Sequence, residues 1–197
     1  MVMDYLEKAK KEIREEWFGN HIIKRDSSME GLRLILFGEP GTSMYQVKYV
    51  LSGNNVFISG DLGEAVYNLT CSATLENIKG FDLSYFTGKL AAHSSSRWNF
   101  DESKAKKELN EYWEEFRISN RDDAQQIKSG ILNAIRESSS LVEYQFHLTN
   151  LYNETSLDSD DMSYIWEFGK RLPYSFISYW LGLQMVAEKL LSENKTA

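Results

Sequence analysis

The sequence predicts an α+β fold: an N-terminal helix, a five-stranded antiparallel β-meander and then an all-helical C-terminal half. Three observations lead to this prediction. Apolar residues recur at three- and four-residue spacing over residues 4–18, which is typical of an amphipathic helix. Short alternating runs separated by turn residues occupy residues 21–70. After Cys71 the spacing becomes helical again, so the strands precede most of the helices along the chain.

The first helix is predicted over residues 4–18. Its apolar side chains share one face and alternate with Lys and Glu: Leu6, Ala9, Ile13 and Trp17. Gly19 and Asn20 supply a C-terminal stop, because both residue types tolerate the left-handed backbone that ends many helices. We therefore expect the chain to leave this helix directly into the first strand.

Five strands are predicted, over residues 21–26, 31–37, 45–51, 56–59 and 64–70. Ser27 and Ser28 form the first turn, Gly53 to Asn55 a hairpin turn, and Gly60 to Gly63 the last turn. The second strand alternates between Leu32, Leu34 and Leu36 on one face and Arg33, Ile35 and Phe37 on the other. Such short connections are typical of an antiparallel meander.

The second half of the chain is predicted to be helical. Thr74 and Asp82 cap two short helices, the second continuing through Ala91. Asn99 with Glu102 makes a capping box before a longer helix. The apolar face of that helix comprises Ala105, Leu109, Tyr112, Trp113 and Phe116. Further helices are predicted after Asn120, over residues 141–152, from Asp158 to Phe168 and after Pro173.

We expect the chain to divide near residue 118. Residues 1–118 hold the first helix, the sheet and its covering helices, and residues 119–197 form a helical subdomain. Residues 173–187 are uncharged and apolar on nearly all faces, so the helix from Tyr174 to Leu191 is expected to be a central core helix. We place that helix at the centre of the subdomain.

The charge and cysteine content exclude several kinds of function. The net charge is −7, and residues 101–197 contain 17 acidic against 11 basic side chains, so no direct binding to nucleic acid is expected. A single cysteine, Cys71, cannot form an internal disulfide or a cysteine-based metal cluster, and no cofactor is expected. No signal peptide or membrane-spanning run is visible, so we expect a cytoplasmic protein.

Two loops offer candidate polar sites. Asp61, in the Gly60 to Gly63 turn, is either a metal ligand or general base, or a short polar residue that satisfies the turn. His93 and Arg97 either bind an anion or act in acid–base chemistry, or they belong to an ordinary surface loop. The enzymatic alternative is a small hydrolytic or nucleotide-directed enzyme that uses Asp61 and His93.

The helix that follows Asp101 presents an acidic row. Glu108, Glu111 and Glu115 recur at helical spacing, with Glu114 beside them. The row is either a solvated helix surface or a face that attracts a basic partner, because fixed carboxylates steer a basic protein surface. Lysines at the start of the same helix offset part of this negative charge.

Four segments of the chain resemble small accessory proteins of phages and mobile elements of Gram-positive bacteria. They are YQVKYVL at residues 45–51, FISGDLGEAVY at 57–67, LSYFTGKL at 83–90 and FISYWLGLQ at 176–184. The resemblance implies a role in conflict with host defences, a group that includes inhibitors of CRISPR effector nucleases. It carries over no catalytic or binding residue.

From this resemblance we expect a phage or mobile-element protein, not an enzyme, that binds and inhibits a bacterial defence protein in the host cytoplasm. A CRISPR effector nuclease is the first candidate target, and a role in virion assembly is a third possibility. The candidate partner-binding residues are Glu108, Glu111, Glu114, Glu115, Asp61, His93 and Arg97. The sequence does not predict the oligomeric state.

Overall fold

A computed structural model describes residues 5–115 and 118–193 of the chain. Phe116, expected on the apolar face of the long helix, lies outside the described residues. The backbone of Glu115 is described but its side chain is not.

The order of elements confirms the α+β fold. The first part comprises α1 (Tyr5–Glu12), a π-helical turn (Ile13–Trp17), β1 (Ile22–Met29), β2 (Leu32–Gly38), β3 (Val47–Ser52), β4 (Asn55–Gly60), β5 (Ala65–Asn68), α2 (Leu75–Lys79), α3 (Leu83–Gly88) and β6 (Leu90–His93). The second comprises β7 (Asn99–Phe100), α4 (Glu102–Glu115), a 3₁₀ turn (Ile118–Asn120), α5 (Ala124–Glu137), α6 (Leu141–Glu154), α7 (Ser159–Ile165), β8 (Lys170–Arg171) and α8 (Tyr174–Glu193).

The sheet has six antiparallel strands in the order β1-β2-β3-β4-β5-β6, where five were predicted. The added strand is β6, in which Leu90 pairs with Tyr67 and Ala92 with Val66. The sequence pattern instead predicts that Leu90 and Ala91 end a helix, because Leu90 continues the helical spacing of Leu83 and Phe86. A pairing of this kind is formed by distant residues and leaves little local signal.

The predicted turn at Ser27 and Ser28 is wrong. Ser27 pairs with Leu34 and Ser28 with Arg33, so β1 continues through both serines. The chain reverses at Gly31 instead, where φ is 72°, a left-handed conformation that glycine adopts without steric cost. The first hairpin is therefore longer than the sequence indicated.

The chain forms two compact units, whose bounds differ from the predicted division near residue 118. The first unit comprises Met1–Ser96 and Pro173–Ala197, and the second comprises Arg97–Leu172. Helix α8 therefore groups with the sheet, and α4 groups with the helices that follow it. The apolar character of α8 correctly indicated a core helix, but it does not specify which elements surround that helix.

The core of the first unit lies between one face of the sheet and α8. The buried sheet residues alternate along each strand: Ile35, Phe37, Val47, Tyr49, Leu51, Val56, Ile58, Ala65 and Tyr67. The Tyr49 hydroxyl donates a hydrogen bond to the Tyr179 carbonyl of α8 at 3.3 Å. The Trp180 indole donates to the Phe81 carbonyl at 2.9 Å, which fixes α8 to the segment between α2 and α3.

The core of the second unit is formed by α4, α5, α6 and α7. It includes Leu109, Ile131 and Tyr144, all with no exposed surface. The cap of α4 is Asp101, whose carboxylate accepts the Lys104 N–H at 2.6 Å. The predicted cap, Asn99, belongs instead to β7. A cap on the residue directly before the helix satisfies the free N–H groups of its first turn.

A buried carboxylate, Asp161, joins three parts of the second unit. It accepts a hydrogen bond from the Tyr112 hydroxyl at 2.6 Å and pairs with the Arg121 guanidinium at 2.7 Å. It also completes a capping box with Asp158 at the start of α7. Burial alone would raise the pKa of Asp161, but the hydrogen bonds from Tyr112, the Asp158 N–H and Arg121 lower that pKa below its ordinary value.

Candidate protein-binding surface

The acidic row on α4 is only partly a free surface. One oxygen of Glu108 accepts the backbone N–H of Gly169 at 2.8 Å, and the other lies 3.2 Å from the Lys104 ammonium. The Glu108 side chain is 29% exposed. Glu108 therefore differs from the expected solvent-facing carboxylate, because it satisfies a backbone donor inside the second unit.

The exposed acidic residues of α4 are interleaved with lysines. A carboxylate oxygen of Glu111 lies 3.5 Å from the ammonium nitrogen of Lys107, which precedes Glu111 by one helical turn. Glu114 is exposed, and the side chain of Glu115 lies outside the described residues. Pairs at i and i+4 offset part of the negative charge on a helix surface. The binding role of Glu108, Glu111, Glu114 and Glu115 stays a prediction.

Asp61 has a structural role in its turn. Its carboxylate accepts the Tyr45 N–H at 2.8 Å, and its own N–H donates to the Gln46 carbonyl at 3.0 Å. Tyr45 has a φ of 54°, which is uncommon for a residue other than glycine. Its ring stacks on Trp17 at a centroid distance of 4.7 Å. Asp61 thus stabilises a strained backbone segment beside β3.

His93 and Arg97 are exposed and belong to different units. The His93 ring contacts the Ser95 carbonyl through Nδ1 and meets the edge of Phe176 at 5.5 Å. The Arg97 guanidinium lies over the Trp98 ring at 5.7 Å. Among the described contacts, none joins Asp61 to His93, so the enzymatic pairing of these two residues stays a prediction.

The face of the sheet opposite α8, here called the outer face, presents three rows of side chains that run across the strands. The central row comprises Ser27, Leu34, Val50, Phe57, Val66 and Ala92, each paired with the next. A second row comprises Arg25, Leu36, Lys48 and Ser59. The third comprises Met29, Leu32, Ser52, Asn55 and Asn68.

The central row is apolar from β2 to β6 and is open to solvent. Phe57 is 42% exposed, and Leu34, Val50 and Val66 are partly exposed, whereas the opposite face of the same strands is buried. Leu32 and Leu36 extend the apolar surface along β2. Large contiguous patches of exposed apolar surface often mark interaction sites. The outer face is therefore the strongest candidate for a binding surface.

The cations of the outer face lie side by side in the second row. Arg25 and Lys48 both flank Leu36, which places them about 10 Å apart across two strand spacings. Both are exposed, and neither forms an ion pair with a described residue. The three rows contain no Asp or Glu. The outer face thus combines an apolar centre with positive charge along one side.

The sequence contained a signal for this face that local motifs did not reveal. Antiparallel sheets commonly have one apolar and one solvated face, but β2 is apolar on both. The central row itself depends on the register of six strands. Its members are separated by up to 65 positions along the chain, so alternation within one strand could not show that they are neighbours.

A cavity of about 370 Å³ lies where β1 and β2 meet the start of α2. Arg33, one of its lining residues, donates two hydrogen bonds to the Asp26 carboxylate at 2.9 and 2.6 Å. That carboxylate already neutralises the one cation among the lining residues. We therefore assign the cavity no ligand.

No protein-family model, curated protein or solved structure matches this chain. Within residues 5–115 and 118–193, no cluster of three or more His, Cys, Asp or Glu side chains could hold a metal ion. No helix of that part is both long and apolar enough to cross a bilayer.

Proposed function

We propose that this chain is a phage or mobile-element protein that binds and inhibits a bacterial antiviral defence protein. The observation that supports binding to a protein is the apolar central row on the exposed outer face. The class of target follows from the resemblance of four segments to accessory proteins that counter host defences. A CRISPR effector nuclease in the host cytoplasm is the first target to test.

Such a protein acts by occupying a surface that its target needs, so inhibition requires affinity and no chemistry. Affinity at a protein interface depends chiefly on a few well-buried apolar or aromatic anchors. Phe57, at the centre of the row, is the residue best placed to serve as that anchor. Flanking charges then add orientation and speed of association.

The direct test is co-purification with tagged CRISPR effector nucleases, followed by a DNA-cleavage assay at saturating protein. The proposal predicts a stable complex with at least one effector and loss of cleavage in proportion to complex formed. Unimpaired cleavage across the panel, with no complex detected, would contradict the assigned target class.

A further inference from the structure

We infer that the outer face docks a protein segment that has an apolar centre and carboxylates along one margin. This inference rests on the proposed function only in taking the partner to be a protein. It names the chemistry of that partner, which differs from the basic partner expected for α4.

The two cations of the outer face favour a partner that has acidic side chains along one edge of its contact surface. Arg25 and Lys48 lie about 10 Å apart with Leu36 between them, and no carboxylate of the three rows offsets them. Two exposed like charges on nearby strands attract a shared anion. Carboxylates placed beside an apolar ridge would meet both cations while the ridge covers the central row.

The same charges disfavour a second copy of this chain in the same position. A two-fold dimer through the outer face would use the same patch on both subunits. Each patch contributes two cations and no carboxylate from its three rows, so the contact would bring like charges together without compensation. A different protein that carries acidic residues complements the outer face better than a second copy of this chain does.

The composition of the outer face also favours protein over nucleic acid. Single-stranded nucleic acid binds through several aromatic rings and a groove of basic residues. The three rows offer one aromatic ring, Phe57, and their other side chains are aliphatic or small and polar apart from the two cations. The net charge of −7 adds repulsion toward a phosphate backbone.

The size of the face sets the size of a suitable probe. Six strands at about 4.8 Å spacing give a width of about 24 Å. A helical peptide of about 18 residues has a length of about 27 Å. Two such peptides can be made with the same apolar residues along one side of the helix. They differ in their polar positions, which hold Glu in the acidic peptide and Lys in the basic peptide.

The test measures the affinity of both peptides by fluorescence anisotropy. At about 50 mM salt, where exposed charges are weakly screened, the acidic peptide should bind at least about tenfold more tightly. This preference should shrink as salt rises. The net charge of −7 would favour the basic peptide. A preference for the acidic peptide would therefore reflect the local charge of the outer face and not the net charge of the protein.

Two substitutions separate the charged and apolar contributions. Lys48→Glu should abolish or reverse the preference for the acidic peptide. Phe57→Ser should lower the affinity for both peptides by about tenfold. Matched controls remove the same residue types elsewhere: Lys8→Glu on α1 and Phe146→Ser on α6, where Phe146 is 65% exposed. Both controls should bind like the wild type, and circular dichroism should show all four variants folded.

Several results would overturn the inference. Preference for the basic peptide, with loss of that preference in Glu111→Lys, would assign the interface to α4. Failure of both peptides to bind, or binding unaffected by Lys48→Glu and Phe57→Ser, would remove the outer face from consideration. A dimer in solution that Phe57→Ser dissociates would assign the face to a second copy. Tight binding of a single-stranded DNA 12-mer that Phe57→Ser abolishes would assign it to nucleic acid.

The peptide assay uses no defence protein, so its failure is distinct from failure of the proposed function. Peptide binding without inhibition of any effector would support the surface and contradict the target class. Inhibition of an effector that Lys48→Glu and Phe57→Ser leave unchanged would support the target class and contradict the surface.

Discussion

Gly182 lies on α8 where that helix meets the sheet, and we expect Gly182→Ala to destabilise the first unit. A Cβ atom at this position would overlap the Tyr49 hydroxyl oxygen and lie 3.0 Å from the Phe18 ring. Both rings are almost completely buried. Neither can move toward solvent, so α8 would have to shift away from β3.

Gly182→Ala has a stabilising and a destabilising effect on the free energy of unfolding, and the two are of comparable size. Alanine in a helix interior gains about 1 kcal/mol over glycine. Overpacking a filled core costs about 1–3 kcal/mol, and loss of the hydrogen bond from Tyr49 to Tyr179 adds about 1 kcal/mol. The net loss is about 1–3 kcal/mol, which corresponds to a fall in the thermal midpoint of about 2–12 °C for a chain of this size.

Gly88 provides the matched control. It is the last residue of α3, its φ lies outside the left-handed region, and a Cβ there would meet nothing within 4 Å. Gly88→Ala should therefore be neutral or slightly stabilising. Thermal unfolding of both variants by circular dichroism makes the comparison. A midpoint for Gly182→Ala equal to or above that of the wild type would refute the packing argument.

Two further predictions concern the second unit. Because the folded-state pKa of Asp161 is lowered, its stabilising contribution exists above the ordinary pKa of 3.8 and is lost as the pH falls through the folded-state pKa. Asp161→Asn should therefore lower the thermal midpoint at pH 7, and its difference from the wild type should shrink in acid; a pH-independent difference would contradict the ion pair with Arg121 and the hydrogen bond from the Tyr112 hydroxyl to a charged carboxylate. Glu108→Lys leaves a half-buried backbone N–H without its acceptor and should cost about 1–3 kcal/mol in urea unfolding, whereas Glu111→Lys should change stability by at most about 0.5 kcal/mol. Equal effects of the two substitutions would show that Glu108 is only a surface charge.

Much of the fold could be predicted because the signals are local. Alternation over five segments indicated β1 to β5, and the side chains of Thr74 and Asp82 accept the N–H groups of their helices as their positions suggested. The same logic failed where pairing is not local. β6 has four residues, and its position is set by pairing with β5 rather than by its own pattern.

The candidate surface was less accessible to sequence reasoning. Exposed charges at helical spacing made α4 prominent, although Glu108 proved to be held by Gly169, far away in the sequence. The outer face is assembled from one or two side chains per strand, so it becomes visible only when the register is known. The two apolar faces of β2 were a local indication that the sheet has a second surface to cover.

The most direct test of the account is the affinity of the double variant Val50→Ser/Phe57→Ser for an effector nuclease that co-purifies with the wild-type protein. If the outer face is the binding surface, this affinity falls by at least about tenfold while that of Phe146→Ser stays at the wild-type value, with all proteins folded. Equal affinities for the wild type, the double variant and the control would contradict the claim that the outer face of the sheet is the binding surface.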